Sequence, residues 1–110
     1  MQKSLDLLAA SFEANGIEWK RADQAKDVTP PFVSITKATP SFQDGAWRNQ
    51  LDLEIFFRDK DIVASSDFEL KMLDVIGNTP CVFINRVISG IETIQKTSYL
   101  VTTVTVWLFE

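Results

Sequence analysis

The side chains of this 110-residue chain that could do covalent or acid–base chemistry are few. There is no His at all, which removes the commonest metal ligand and the commonest general base at neutral pH. The single cysteine, Cys81, stands between Pro80 and an apolar run. With no imidazole to activate it, it reads as a buried structural thiol. Asp52 and Glu54 alternate with apolar residues, so they share one strand face about 7 Å apart, a spacing open in principle to paired-carboxylate chemistry. Alternating acids on an exposed strand face ordinarily only keep it soluble. Asp59-Lys60-Asp61 lacks the loop length and the further oxygen ligands of a calcium site and reads as a solvated turn. The four glycines are scattered singly, so no phosphate-cradling loop is present. No catalytic residue, metal or cofactor is assigned, and the chain is read as a protein that is not an enzyme.

Aromatic residues carry more information. Phe42, Trp47 and Arg48 sit in the stretch 38–49, ATPSFQDGAWRN. A long connection holding two aromatics and an arginine has the composition of an interface anchor. Phe56 stands on the otherwise polar side of a strand, and Trp107 and Phe109 on the outer side of the last strand. Together these three can form a patch on the outer face of a sheet. Each group has two readings: contact with another molecule, or cover by another part of the same subunit.

These residues need elements to position them. The firmest is Tyr99–Phe109, eleven residues dense in β-branched and aromatic types with no Gly, Pro or charge, which predicts a strand. Its even positions are apolar apart from Thr102 and its odd positions are neither charged nor properly polar, so its second face is expected to have a partner. Upstream, residues 2–15 place Leu5, Leu8, Ala9 and Phe12 on one helical stripe, closed by Asn15-Gly16. Ile17–Lys20 is a short extended segment and 20–29 a surface connection. Pro30-Pro31 leads into a strand at Phe32–Lys37. Gln50–Arg58 alternates strictly, with Leu51, Leu53, Ile55 and Phe57 pointing one way. A second helix is expected to start at Ser66 in a capping box with Glu69, to bury Phe68, Met72, Val75 and Ile76, and to close at Gly77-Asn78. Val82 to about Gln95 is a third long strand, with a bulge or bend expected at Gly90. Lys96-Thr97-Ser98 turns into the last strand as an antiparallel hairpin. The expected fold is a single α+β domain spanning 1–110, of order α-β-β-α-β-β: a four-stranded antiparallel sheet with two helices on one face.

Composition narrows the function classes. The net charge is −4 and 45% of residues are hydrophobic. An acidic chain argues against phosphate-driven or sequence-specific nucleic-acid binding. Apolar runs are too short to span a bilayer, no secretory signal is read at the start, and one cysteine suits a reducing compartment.

The element order, the runs Pro31-Phe-Val-Ser-Ile35 and Leu51-Asp-Leu-Glu-Ile-Phe-Phe57, the turn Asp44-Gly45 and the closing hairpin resemble the tail-terminator and head–tail connector (neck) proteins of long-tailed bacteriophages and prophages. That resemblance implies a virion structural protein assembled in the bacterial host cytoplasm. It implies a homo-oligomeric ring, usually a hexamer, that caps the tail tube and joins it to the head, with tail-tube and neck proteins as partners. The expected contact residues are Phe42, Trp47, Arg48, Phe56, Trp107 and Phe109. The rival reading is a dimeric small-molecule-binding domain or enzyme of ferredoxin-like architecture, which needs a pocket with converging polar groups.

Overall fold

The computed structural model of the protein describes residues 2–22, 30–36, 38–58 and 62–109. The elements run α1 (Gln2–Ala14), β1 (Trp19–Arg21), β2 (Phe32–Ile35), β3 (Thr39–Gln43), β4 (Ala46–Arg58), α2 (Ile62–Gly77), β5 (Val82–Ile94) and β6 (Thr97–Leu108). The class is α+β with two helices and a mixed sheet of six strands, in the order β1-β2-β4-β6-β5 with β3 also on β4. This corrects the expected four-stranded antiparallel sheet in two places. Trp19–Arg21 is a genuine strand and pairs with β2 in parallel, Trp19 opposite Val33. The stretch 38–49 is not a loop, because β3 and β4 form a hairpin within it.

That hairpin follows from local chemistry. Asp44 and Gly45 have φ of 53° and 77°, the pair of left-handed residues that a two-residue turn matching strand twist requires. Gln43 and Ala46 flank it in register. β2 and β3 lie end to end along the same edge of β4. From Ile35 to Thr39 is four residues, while their partners Leu53 and Gln50 are three apart, so one extra residue is accommodated at the join. Thr36 holds that join, its Oγ1 and its backbone N–H both donating to the Asp52 carbonyl at 2.6 and 3.2 Å. Six strands therefore occupy five places across the sheet.

One apolar cluster makes the core. Leu8 and Phe12 of α1 and Met72, Val75 and Ile76 of α2 pack on Val33, Ile35, Leu51, Leu53, Ile55, Phe57, Val104 and Val106. The strand members all lie on one side of the pleat, since register sets Leu51 opposite Val106, Leu53 opposite Val104 and Ile55 opposite Thr102. Both helices therefore cover the same face. Helix α1 ends as its sequence predicts: Gly16 has φ 67°, and Gly16 N–H and Ile17 N–H donate to the carbonyls of Glu13 and Phe12. This is the double-bonded stop a glycine makes available, with Ile17 buried against the helix it follows.

Three further expectations shift. α2 begins at Ile62 rather than Ser66, and Asp59-Lys60-Asp61, expected as a turn, lies outside the described residues. Its end is capped by side chains, with Asn78 Nδ2 donating to the Asp74 carbonyl at 2.8 Å and Thr79 Oγ1 to that of Val75 at 2.8 Å. The irregularity in β5 falls between Ile84 and Arg86, at Asn85, rather than at Gly90. The β5–β6 turn is Gln95-Lys96, one residue earlier than expected, with φ of 49° and 69°. This hairpin fixes the molecule's long dimension: thirteen residues of β5 extend about 43 Å at ~3.3 Å per residue, matching the 44 Å principal extent.

Candidate interaction surface

The sheet has one face under the helices and one without a helical cover among the described residues. On the second face lie Phe32, Ser34, Gln50, Asp52, Glu54, Phe56, Val101, Thr103, Thr105, Trp107 and, from β5, Phe83, Arg86, Ile88, Gly90 and Glu92, as the registers require. Much of its centre is closed by neighbouring side chains. Phe32, Ser34, Val101 and Thr105 are buried, and Thr105 Oγ1 donates to Asp52 Oδ1 at 3.0 Å.

The two carboxylates singled out in the sequence, Asp52 and Glu54, do share this face and are half-buried. Glu54 is held above the ordinary carboxylate range, first by burial and then by the negative charges of Glu92 and Asp52. Here like charges and lost solvation disfavour the ionised form. The contact described for this pair is the Thr105 hydroxyl on Asp52. Among the described residues no group of three His, Cys, Asp or Glu could hold a metal. Cys81 is half-buried rather than buried, with φ 64°, and its carbonyl accepts the Phe109 N–H at 2.8 Å. Its role in the structure is to turn the chain from α2 into β5.

The six expected contact residues do not form one patch. Phe42 and Trp47 are cross-strand partners at the tip of the β3–β4 hairpin, rings 5.3 Å apart and edge-on. They are 60% and 75% exposed, so their rings chiefly meet each other. By alternation along β4, Trp47 projects to the helix-covered side of the sheet, beyond the end of the core. Trp107 and Phe109 are half-buried on the other side. There Phe83 stands opposite Trp107 in register and packs edge-on against Phe109 at 5.0 Å. Phe56 lies toward the far end of that face and stacks on Phe32 at 5.1 Å. Its ring contact is therefore within the chain. Arg48 is opposite Ser41 in register, and its side chain lies outside the described residues.

The sequence predicts β5 as a strand but not as an exposed surface. After its buried first residue every position is exposed, and Phe83, Ile84, Val87, Ile88, Ile91 and Ile94 are all exposed large hydrophobics. They fall on both faces, with Ile84, Val87 and Ile91 toward the helix side and Phe83, Ile88 and Ile94 away from it. The signal was visible as apolar residues at both parities, the same feature used to single out Tyr99–Phe109. What the sequence did not say is that β5 is the strand left at the edge.

The fold and this surface define a two-layer α+β protein that presents aromatic and aliphatic side chains on both sides of an open sheet. No protein-family profile and no curated protein matches the chain.

Proposed function

We propose that this chain is a structural protein of the tail-terminator or head–tail joining kind, which assembles with copies of itself into a ring, a hexamer by that reading, capping a phage tail tube and joining it to the head. The observation that carries the reading is a pair of aromatic patches facing opposite ways at one end of the sheet. Phe42 and Trp47 lie to the helix side, and Phe83, Trp107 and Phe109 to the other. A head-to-tail ring needs two different complementary patches on each subunit, whereas a two-fold dimer needs only one. The exposed pair at the hairpin tip is composed like an anchor, and the partly exposed cluster of Phe83, Trp107 and Phe109 like its seat. Net charge −4 suits a conduit along which a phosphate backbone slides without sticking.

Electron microscopy of the purified protein, alone and with tail tubes, tests this directly. Rings with a central channel are expected, lost in W47A. Particles no larger than two subunits under both conditions would remove the ring reading.

A further inference from the structure

The segment Arg86–Glu92 of β5 is not used by the ring contacts above, yet every residue of it is exposed. It is an edge strand, since β5 is the last strand of the sheet order and pairs only with β6 among the described residues. Edge strands are ordinarily blunted by Lys, Pro or brevity. This one is thirteen residues long, with neither Lys nor Pro. Ile91 is 70% exposed and Ile88 51%.

The order of residue types along it matches itself in reverse. Antiparallel pairing with a second β5 about a two-fold axis through Ser89 sets Arg86 opposite Glu92 twice. The same register sets Val87 opposite Ile91 twice and Ile88 opposite Gly90 twice. Opposed residues share a face of the joined sheet: Arg86, Ile88, Gly90 and Glu92 lie on the side without helices, Val87 and Ile91 on the helix side. Gly90, without a side chain, leaves room for the facing Ile88, and nothing lies within 4 Å of where its Cβ would stand. Other registers lose the match. An axis at Gly90 puts Glu92 against Ile88 and Arg86 against Ile94, and an axis at Ile88 sets Arg86 against Gly90. Opposed unlike charges and apolar pairs stabilise a cross-strand register, while charge against an apolar group does not.

We propose that β5 pairs with β5 of a second copy of this chain, antiparallel and in register about Ser89, so that two sheets become one with all four helices on the same side. The pairing is held by backbone hydrogen bonds along the edge, by the Val87–Ile91 contacts, and by two Arg86–Glu92 ion pairs that set the register. It stands apart from the ring reading, because it uses a different surface.

Sedimentation equilibrium of the full chain carrying W47A, so that rings do not mask pairing, with circular dichroism to confirm folding, is the test. This parent is expected to dimerise reversibly. R86E and E92R each place like charges opposite one another at two points and are expected to weaken pairing by about tenfold or more. The double exchange R86E/E92R restores opposite signs across the axis and is expected to recover the parent's affinity. W47A is expected to pair normally, so loss of rings and loss of pairing are read separately. A parent that is monomeric at every concentration, single exchanges that leave the mass unchanged, or a double exchange that fails to recover it, would each overturn the proposal.

Discussion

Glu54 shows how one residue on an open sheet face trades stability for charge. Its carboxyl is half-buried and lies near Glu92 and Asp52, so its pKa is raised. The folded chain then holds this proton more tightly than the unfolded chain does. Acidification through the raised pKa therefore stabilises the fold through Glu54, and ionisation as pH rises weakens it. E54Q removes the penalty. Allowing for solvent screening of a group this exposed, its melting temperature at pH 7 is expected to exceed the parent's by about 1–3 °C. The gap should close toward about pH 3, below the carboxyl's pKa in both states. Thermal melts across that range decide it; a variant less stable than the parent at pH 7 would mean that the carboxylate makes a favourable contact. Gly16 is the second informative residue. Its φ of 67° is left-handed, and a Cβ there would meet no atom within 4 Å, so any cost of substitution is in the backbone alone. G16A should lose about 1 kcal/mol, whereas G16N, whose side chain tolerates that conformation, should lose clearly less.

Among the elements, the β5–β6 hairpin carries the shape of the molecule on a turn poorly suited to its residues. Gln95 and Lys96 both adopt positive φ, a conformation that Asn-Gly or Asp-Gly takes without strain. Replacing the pair, Q95N/K96G, is expected to stabilise the protein by about 0.5–1 kcal/mol, read as a raised denaturant midpoint with unchanged slope. The other hairpin makes the comparison. Its turn is Asp44-Gly45, the strongest short hairpin signal there is, with aromatic residues flanking it on either side. That turn is legible in the sequence, but Pro40 and the polar residues around it mask the strand alternation of 38–49. Both helices, by contrast, were legible in their spacing: Leu8, Phe12, Met72, Val75 and Ile76 are all buried, where a 3.6-residue period puts them. The start of α2 was not, because Ser66-x-x-Glu69 imitates a cap inside a helix already under way.

At the scale of the whole molecule, folding and assembly rest on separate sets of residues. The core draws on helices and one sheet face, while Phe42 and Trp47 stand beyond it, largely in solvent. W47A therefore gives up the ring–ring contact with Phe42, worth about 0.5–1.5 kcal/mol, and little else of the fold. Its melting temperature should drop by only a few degrees, and light scattering should show the large assembly gone. Unchanged assembly mass in W47A and F42A alike would take the hairpin tip out of the contact.

The chain alone determined which residues are apolar at helical and strand periods, and hence the two helices, the three long strands and the side of Gln50–Arg58 that faces the core. Those properties are local, set by side-chain spacing within a dozen residues. Tertiary structure alone decided which strands are neighbours: that Trp19–Arg21 joins the sheet in parallel, that Tyr99–Leu108 is flanked on both sides, and that Val82–Ile94 is left at the edge. Neighbour choice depends on how the whole chain closes around its core, and two strands equally apolar on both faces carry no mark of which will end up inside. The reading placed the uncovered surface on the last strand. The fold gave that strand two partners and left the exposed row to the strand before it.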